Sequence, residues 1–173
     1  MQNSDKKQRL FISENVSRFL KNSYYEGLLQ DLFCEKDGFF SIFLHFFYQK
    51  NQIFKFYPNF LEDFAGLLNL EEKACAKVSE LIIVLGGDAK FYSANRKFFS
   101  TSGLDYVKNL ASILEMDIEL VEKSVIDVRR AYAKIENANI RASLNEILIW
   151  KTEELKILKD CFLMLEDKDA TTN

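Results

Sequence analysis

Apolar residues return every three or four positions along most of this chain, the spacing of a helix buried along one stripe. The cleanest stripe runs Leu104, Val107, Ala111, Leu114, Ile118, Val121, Val125, Val128, Tyr132, Ile135. A second runs Leu67, Glu71, Ala74, Val78, Leu81, Leu85, and a third Ile140, Leu144, Ile147, Lys151, Glu154, Leu158, Cys161, Leu165. A fourth, nearer the start, runs Leu28, Leu32, Glu35, Phe39, Ile42, Phe46. Alternating steps of three and four make a heptad seam, so each stripe predicts a helix that hides one face against others.

Punctuation sets the expected boundaries. The first helix spans about Tyr24 to Gln49, and Asn51 to Tyr57 reads as a turn. Pro58 suits the first turn of a second helix, which ends at Leu85 before Gly86 and Gly87. A long aromatic connection follows to Gly103, and Ser100 to Ser102 offer caps for a third helix from Leu104 to about Glu136. Asn137 to Asn139 turns the chain into a fourth helix, Ile140 to about Leu165. Residues 1–9 read as a polar tail, 10–166 as one helical domain and 167–173 as a second polar tail. A short lead-in helix is expected over Leu10 to Leu20. Short links at both ends and a long middle link imply two helical hairpins joined by a crossover, an all-α four-helix bundle.

Composition agrees. The chain has 173 residues, 48% of them hydrophobic, with 16 Phe and 7 Tyr, so one domain can build a real core. One Pro and six Gly favour a few long helices over many short strands. A net charge of −3 lacks the basic footprint of a nucleic-acid binder. Cys34, Cys75 and Cys161 form no Cys-x-x-Cys pair and read as small buried residues of a reducing cytosol. The start of the chain has no secretory h-region, and Phe39 to Tyr48 is too short an apolar run to span a bilayer. The expected location is cytoplasmic, with no membrane and no nucleic-acid partner.

The informative exceptions are charges on the seams: Glu71, Lys151 and Glu154 at mid-helix, with Glu35 nearer the end of its stripe. A core charge is costly unless paired. Lys151 and Glu154 share a helix face by their three-residue offset. Lys151 would pair with Glu71 and Glu154 if the helices bring them to one level; otherwise the bundle splays there and the groups see water.

At these residues the chain resembles the bacterial ferritin-like, rubrerythrin-like domains, including their manganese-catalase-like and spore-coat-associated branch. Residues 79–91, through Leu85-Gly-Gly-Asp88, resemble the end of that family's second helix and the start of its crossover. Leu28 to Gln49 resembles its first helix, with His45-Phe-Phe-Tyr-Gln49 where relatives carry Gln-Tyr-x-Tyr-Gln. Met116-Asp-Ile-Glu119 resembles its third-helix motif, and Ile147 to Leu158 falls where its last Glu and His ligands lie. The likeness covers roughly Leu28 to Phe162 and implies a ferritin-like fold with a dinuclear metal centre. Carried over position by position, the first-helix Glu falls at Phe39, the second-helix Glu at Glu71 and its His at Ala74. The third-helix Glu falls at Val121, and the fourth-helix Glu and His at Lys151 and Glu154. Only Glu71 matches.

A dinuclear site needs several carboxylates and His nitrogens to balance and complete two ions. The expectation is therefore a degenerate site with no cofactor, in which the Lys151 ammonium substitutes electrostatically for the metals. The protein would then be a non-catalytic module acting through its surface, as a homodimer or on a protein partner. The alternative is an iron- or manganese-dependent oxidoreductase with a non-standard carboxylate site drawn from Glu35, Asp37, Glu71, Glu153 or Glu154, and His45. A third reading, a small-molecule cavity at the bundle centre, is opposed by the bulk of Phe39 and Val121. His45 is read as a hydrogen-bonded helix residue, Phe46 and Tyr48 as packing, and Phe91 to Phe99 as a lid or a contact surface.

Overall fold

A computed structural model describes residues 21–171 apart from Asp105, with Gly103 and 166–171 described by their backbone alone. The polar tail 1–9 and the lead-in helix expected over Leu10 to Leu20 lie outside the described residues. Five α-helices are present among those described: α1 (Ser23–Cys34), α2 (Phe39–Phe56), α3 (Leu61–Val84), α4 (Leu110–Lys134) and α5 (Ala138–Thr171). Short 3-10 turns sit at Pro58–Phe60 and Thr101–Gly103.

The expected first helix is broken. Glu35 to Gly38 interrupt it, and α1 and α2 follow one another along α3. The cause is local. The Gly38 amide donates to the Glu35 carbonyl at 2.8 Å, closing a tight turn. A Cβ on Gly38 would lie 2.9 Å from the Leu32 carbonyl oxygen, so glycine is what lets the turn pack this closely. The turn expected over Asn51 to Tyr57 is instead helical through Phe56. Pro58 opens a 3-10 turn, as its fixed φ and missing N–H allow.

Caps fix the other ends. Asn22 accepts from the Tyr25 amide at 2.9 Å, and Asn109 from Ser112 at 3.2 Å. The expected third helix therefore begins at Leu110, not at Leu104. Ser100, expected to cap that helix, caps the small turn at Thr101–Gly103 through the Ser102 amide. Gly86 closes α3 with φ +84°, a left-handed conformation natural to glycine, and the Gly87 amide reaches back to the Ile82 carbonyl at 3.0 Å. Asn137 opens α5 by accepting from the Asn139 and Ile140 amides. That helix continues to Thr171, so the expected C-terminal tail is largely a continuation of α5.

The helices pack as two hairpins, α2 with α3 and α4 with α5, with α3 also against α5 and α1/α2 against α4. Two apolar clusters fill the bundle. One holds Leu32, Phe39, Ala74, Val78, Val128 and Ile147; the other holds Ile42, Phe64, Leu67, Leu114, Val121 and Leu158. Both α3 and α4 run from the second cluster to the first, so they are parallel and the crossover between them returns along the bundle's length. The crossover is pinned to α1. Gln30 donates its amide to the Lys90 and Tyr92 carbonyls, and Asp31 accepts from the Ala94 amide at 2.8 Å. Phe91 and Phe99 pack on Phe40, ring centroids 4.4 and 5.0 Å away, so these two aromatics of the crossover lid the bundle. No helix among the described residues is long and apolar enough to cross a membrane.

Candidate functional site

The two apolar clusters are separated by a charged layer. Lys151 and Glu154 project from one face of α5, and Glu71 projects from α3 beside it. All three are fully buried. The Lys151 ammonium donates to Glu71 Oε2 and to Glu154 Oε2, the latter at 3.1 Å. It also stands 4.7 Å from the centre of the Phe39 ring, within cation–π range. The seam charges thus meet at one level, and the splayed, solvated alternative does not occur.

The sequence order explains the geometry. The three-residue offset puts Lys151 and Glu154 on adjacent turns of one face. Phe39 is the first residue of α2, and the Gly38 turn just before it sets where its ring enters the core. Ala74, one turn beyond Glu71, is buried in the first apolar cluster, and Val121 in the second.

Charge in this layer follows from burial. Desolvation pushes the Glu71 carboxyl up, and the neighbouring Lys151 charge pulls against it. Desolvation pushes Glu154 well above the usual carboxylate range; Lys151 opposes this and the Glu71 charge adds to it. Two carboxyls sharing one cation do not both ionise easily. Lys151 loses hydration, yet the two carboxyls hold its pKa above the ordinary lysine value. The upward push is on both carboxyls and the Lys151 charge is opposed to it, so one proton held between them, with the stronger push on Glu154, leaves the centre close to neutral. One oxygen of each glutamate, Glu71 Oε1 and Glu154 Oε1, has no hydrogen-bond partner in the structure. Such orphaned atoms are expensive when charged, which favours one proton held between the two carboxyls.

This donor set does not fit a dinuclear metal centre. Two carboxyls are present, and an ammonium already occupies the space where both point. Phe39, Ala74 and Val121 offer no donor atoms. Among the described residues, no three His, Cys, Asp or Glu side chains gather as a ligand group. Cys75 adjoins Ala74, but burial first, then the Glu71 charge, pushes its thiol up, so it presents no thiolate. Burial likewise raises Cys34 and Cys161, each to about 12.

The structure does not assemble the wider carboxylate set. Glu35 is exposed where α1 ends, apart from Glu71 and Glu154. Asp37 pairs with Lys123 at the surface, and Glu153 is exposed, 3.8 Å from Lys156. His45 is buried on α2. Tyr48 packs edge-on against Tyr106, centroids 4.9 Å apart.

One buried polar pair lies off the expected seams. Gln49 Nε2 of α2 donates to Asp117 Oδ1 of α4 at 2.8 Å, both residues being buried. Burial raises the Asp117 carboxyl to about 8, although the Gln49 hydrogen bond lowers it. Ile118 was the expected seam residue, yet it is only half-buried while Asp117 faces the core. A helix turns 3.6 residues per turn and drifts off a strict heptad, and Leu110, Ile113, Asp117 and Val121 mark its true inner line here. The signal available was a polar residue flanked by apolar neighbours at both i−4 and i+4.

Comparison of this chain with protein-family models, with curated proteins and with solved structures returned no match.

Proposed function

We propose that this chain is a ferritin-like helical module whose dinuclear centre has been replaced by an internal salt bridge, and that it works as a structural or interaction module. The observation carrying this reading is the buried Lys151 ammonium held between Glu71 and Glu154 over the Phe39 ring. The hairpin–crossover–hairpin topology supports the fold half of the proposal, as does the resemblance of residues 79–91 to the family's second-helix end. A bundle whose centre is already neutral and filled has no position from which to activate oxygen or peroxide. Function then moves to the surface. Phe47 and Phe54, both on the outward side of α2 and 54% and 69% exposed, give that surface an aromatic character suited to a second copy or a protein partner.

Elemental analysis of the untagged protein tests the centre. Iron, manganese and zinc together should fall well below one equivalent per chain. Protein refolded with iron or manganese should show no peroxidase, catalase or ferroxidase turnover above that of the free ion. One equivalent or more of tightly held metal, or real turnover, replaces this proposal with the oxidoreductase alternative. Light scattering during gel filtration tests the homodimer.

A further inference from the structure

Away from the bundle centre, α1 and α4 part to leave an open groove of about 300 Å³. That is the low end of the range for small-molecule sites. Its two walls carry opposite charge. Asp31, in the last turn of α1, and Glu35, the extended residue that caps it, line one side. Arg130 and Lys134, one turn apart on α4, line the other, which stays basic on balance with Lys123 although Asp127 also lines it. Leu32 and Phe39 supply apolar floor, and Ser124 supplies a hydroxyl.

Opposed charges could simply zip two helices together, but here they mostly do not. The one ion pair across the groove joins Asp37 to Lys123 at one end. Arg130 bonds along its own helix to Asp127 at 2.9 Å. Asp31 spends Oδ1 on the Ala94 amide. Glu35 and Lys134 make no ion pair among the described residues. Ser124 is 2% exposed, and its Oγ has no hydrogen-bond partner. A buried hydroxyl without a partner is costly, and this one lines a groove with room for the missing partner.

We propose that this groove binds a free α-amino acid, with the ammonium end toward Asp31 and Glu35, the carboxylate end toward Arg130 and Lys134, and the Ser124 hydroxyl bonding it from below. The chemistry selects a zwitterion. A simple anion would meet the α1 acids, and a simple cation would meet the α4 bases. Only a ligand carrying both charges satisfies both walls, and the groove's volume suits one of amino-acid size. The inference does not depend on the reading of the bundle centre.

Calorimetric titration and thermal melting of the full chain against a panel of free L-amino acids at millimolar concentration test it. At least one should bind and raise the melting temperature. Its N-acetyl and its amide derivatives, each lacking one charge, should bind at least about tenfold more weakly, the loss of one charge-assisted hydrogen bond. Arg130→Ala and Glu35→Gln should weaken binding by a similar factor. Ser124→Ala should weaken binding while leaving the ligand-free melting temperature unchanged or higher, because it removes a hydroxyl that is unsatisfied without ligand. The proposal is overturned if no amino acid shifts the melt, if the singly charged derivatives bind equally well, or if Arg130→Ala and Ser124→Ala leave affinity unchanged.

Discussion

Lys151 and Phe39 meet ring to ammonium, 4.7 Å apart, although one begins α2 and the other lies midway along α5. The contact depends on the Gly38 turn, which starts a new helix at the level of the buried charge. The aromatic face takes part of the electrostatic load that two carboxyls would otherwise carry alone.

Removing the cation should therefore be severe. Lys151→Met leaves two buried carboxyls without a counter-charge and should cost ~3–5 kcal/mol at neutral pH. Carboxyls whose folded pKa is raised contribute stability at low pH and lose it as pH rises. The deficit should accordingly shrink toward pH 5. Adding Glu71→Leu and Glu154→Leu to Lys151→Met should restore stability to near or above the parent, because a packed apolar layer matches or exceeds a buried ion pair. Urea unfolding followed by circular dichroism reads both. A triple variant that stays as unstable as the single one would show that the charges are not what the centre depends on.

The two glutamates should not be equivalent. Burial pushes the Glu154 carboxyl well above the usual carboxylate range; with the shared proton on it, Glu154→Gln replaces one neutral group with another and should change stability by less than ~1 kcal/mol. Glu71→Gln removes the anion from the Lys151 pair and should cost ~3 kcal/mol or more. Equal losses from the two substitutions in urea would overturn the proton assignment.

The Gly38 turn gives a steric prediction. Gly38 has φ −75°, an ordinary value, so strain is not the reason for glycine. A methyl group there would press on the carbonyls of Leu32, Phe33 and Glu35, which are backbone atoms with little freedom to move. Gly38→Ala should cost ~1–3 kcal/mol and lower the melting temperature by several degrees. An unchanged melt would mean that the junction between α1 and α2 can shift without loss.

Asp117 should make stability depend on pH on its own account. Its carboxyl rises from 3.8 to about 8 on folding, so its contribution is complete below the unfolded value and is lost as pH climbs through that window. The slope from this one group is at most ~1.4 kcal/mol per pH unit. Asp117→Asn keeps the shape, cannot ionise, and should flatten the decline between about pH 4 and pH 8 in urea midpoints. Parent and variant curves that fall in parallel would place the pH dependence elsewhere.

Residues 64–85 and 140–161 show how much the pattern alone carries. Every seam position on α3 from Leu67 to Leu85, and on α5 from Ile140 to Cys161, is buried, Glu71, Lys151 and Glu154 included. Period determines which face of a helix turns inward, so a charge on that face had to find a partner, and the offset of Lys151 and Glu154 already named one pair. The break at Glu35 to Gly38 was harder to read. Leu28 to Phe46 keeps its spacing across the gap, and periodicity is blind to a turn that preserves register. Asp117 was hidden because a heptad frame set at Val125 and Val128 slips by one residue when extended back along an unsupercoiled helix.

By itself, then, the chain determined the helices, their inward faces and the need to neutralise charge among Glu71, Lys151 and Glu154, since all three follow from local spacing and the cost of burying an ion. The tertiary structure alone decided that Phe39 covers that charge, that Gln49 meets Asp117, and that Asp31 and Glu35 confront Arg130 and Lys134 across an open groove. Those relations join residues far apart in sequence, and only the packing of one helix on another sets the distance between them.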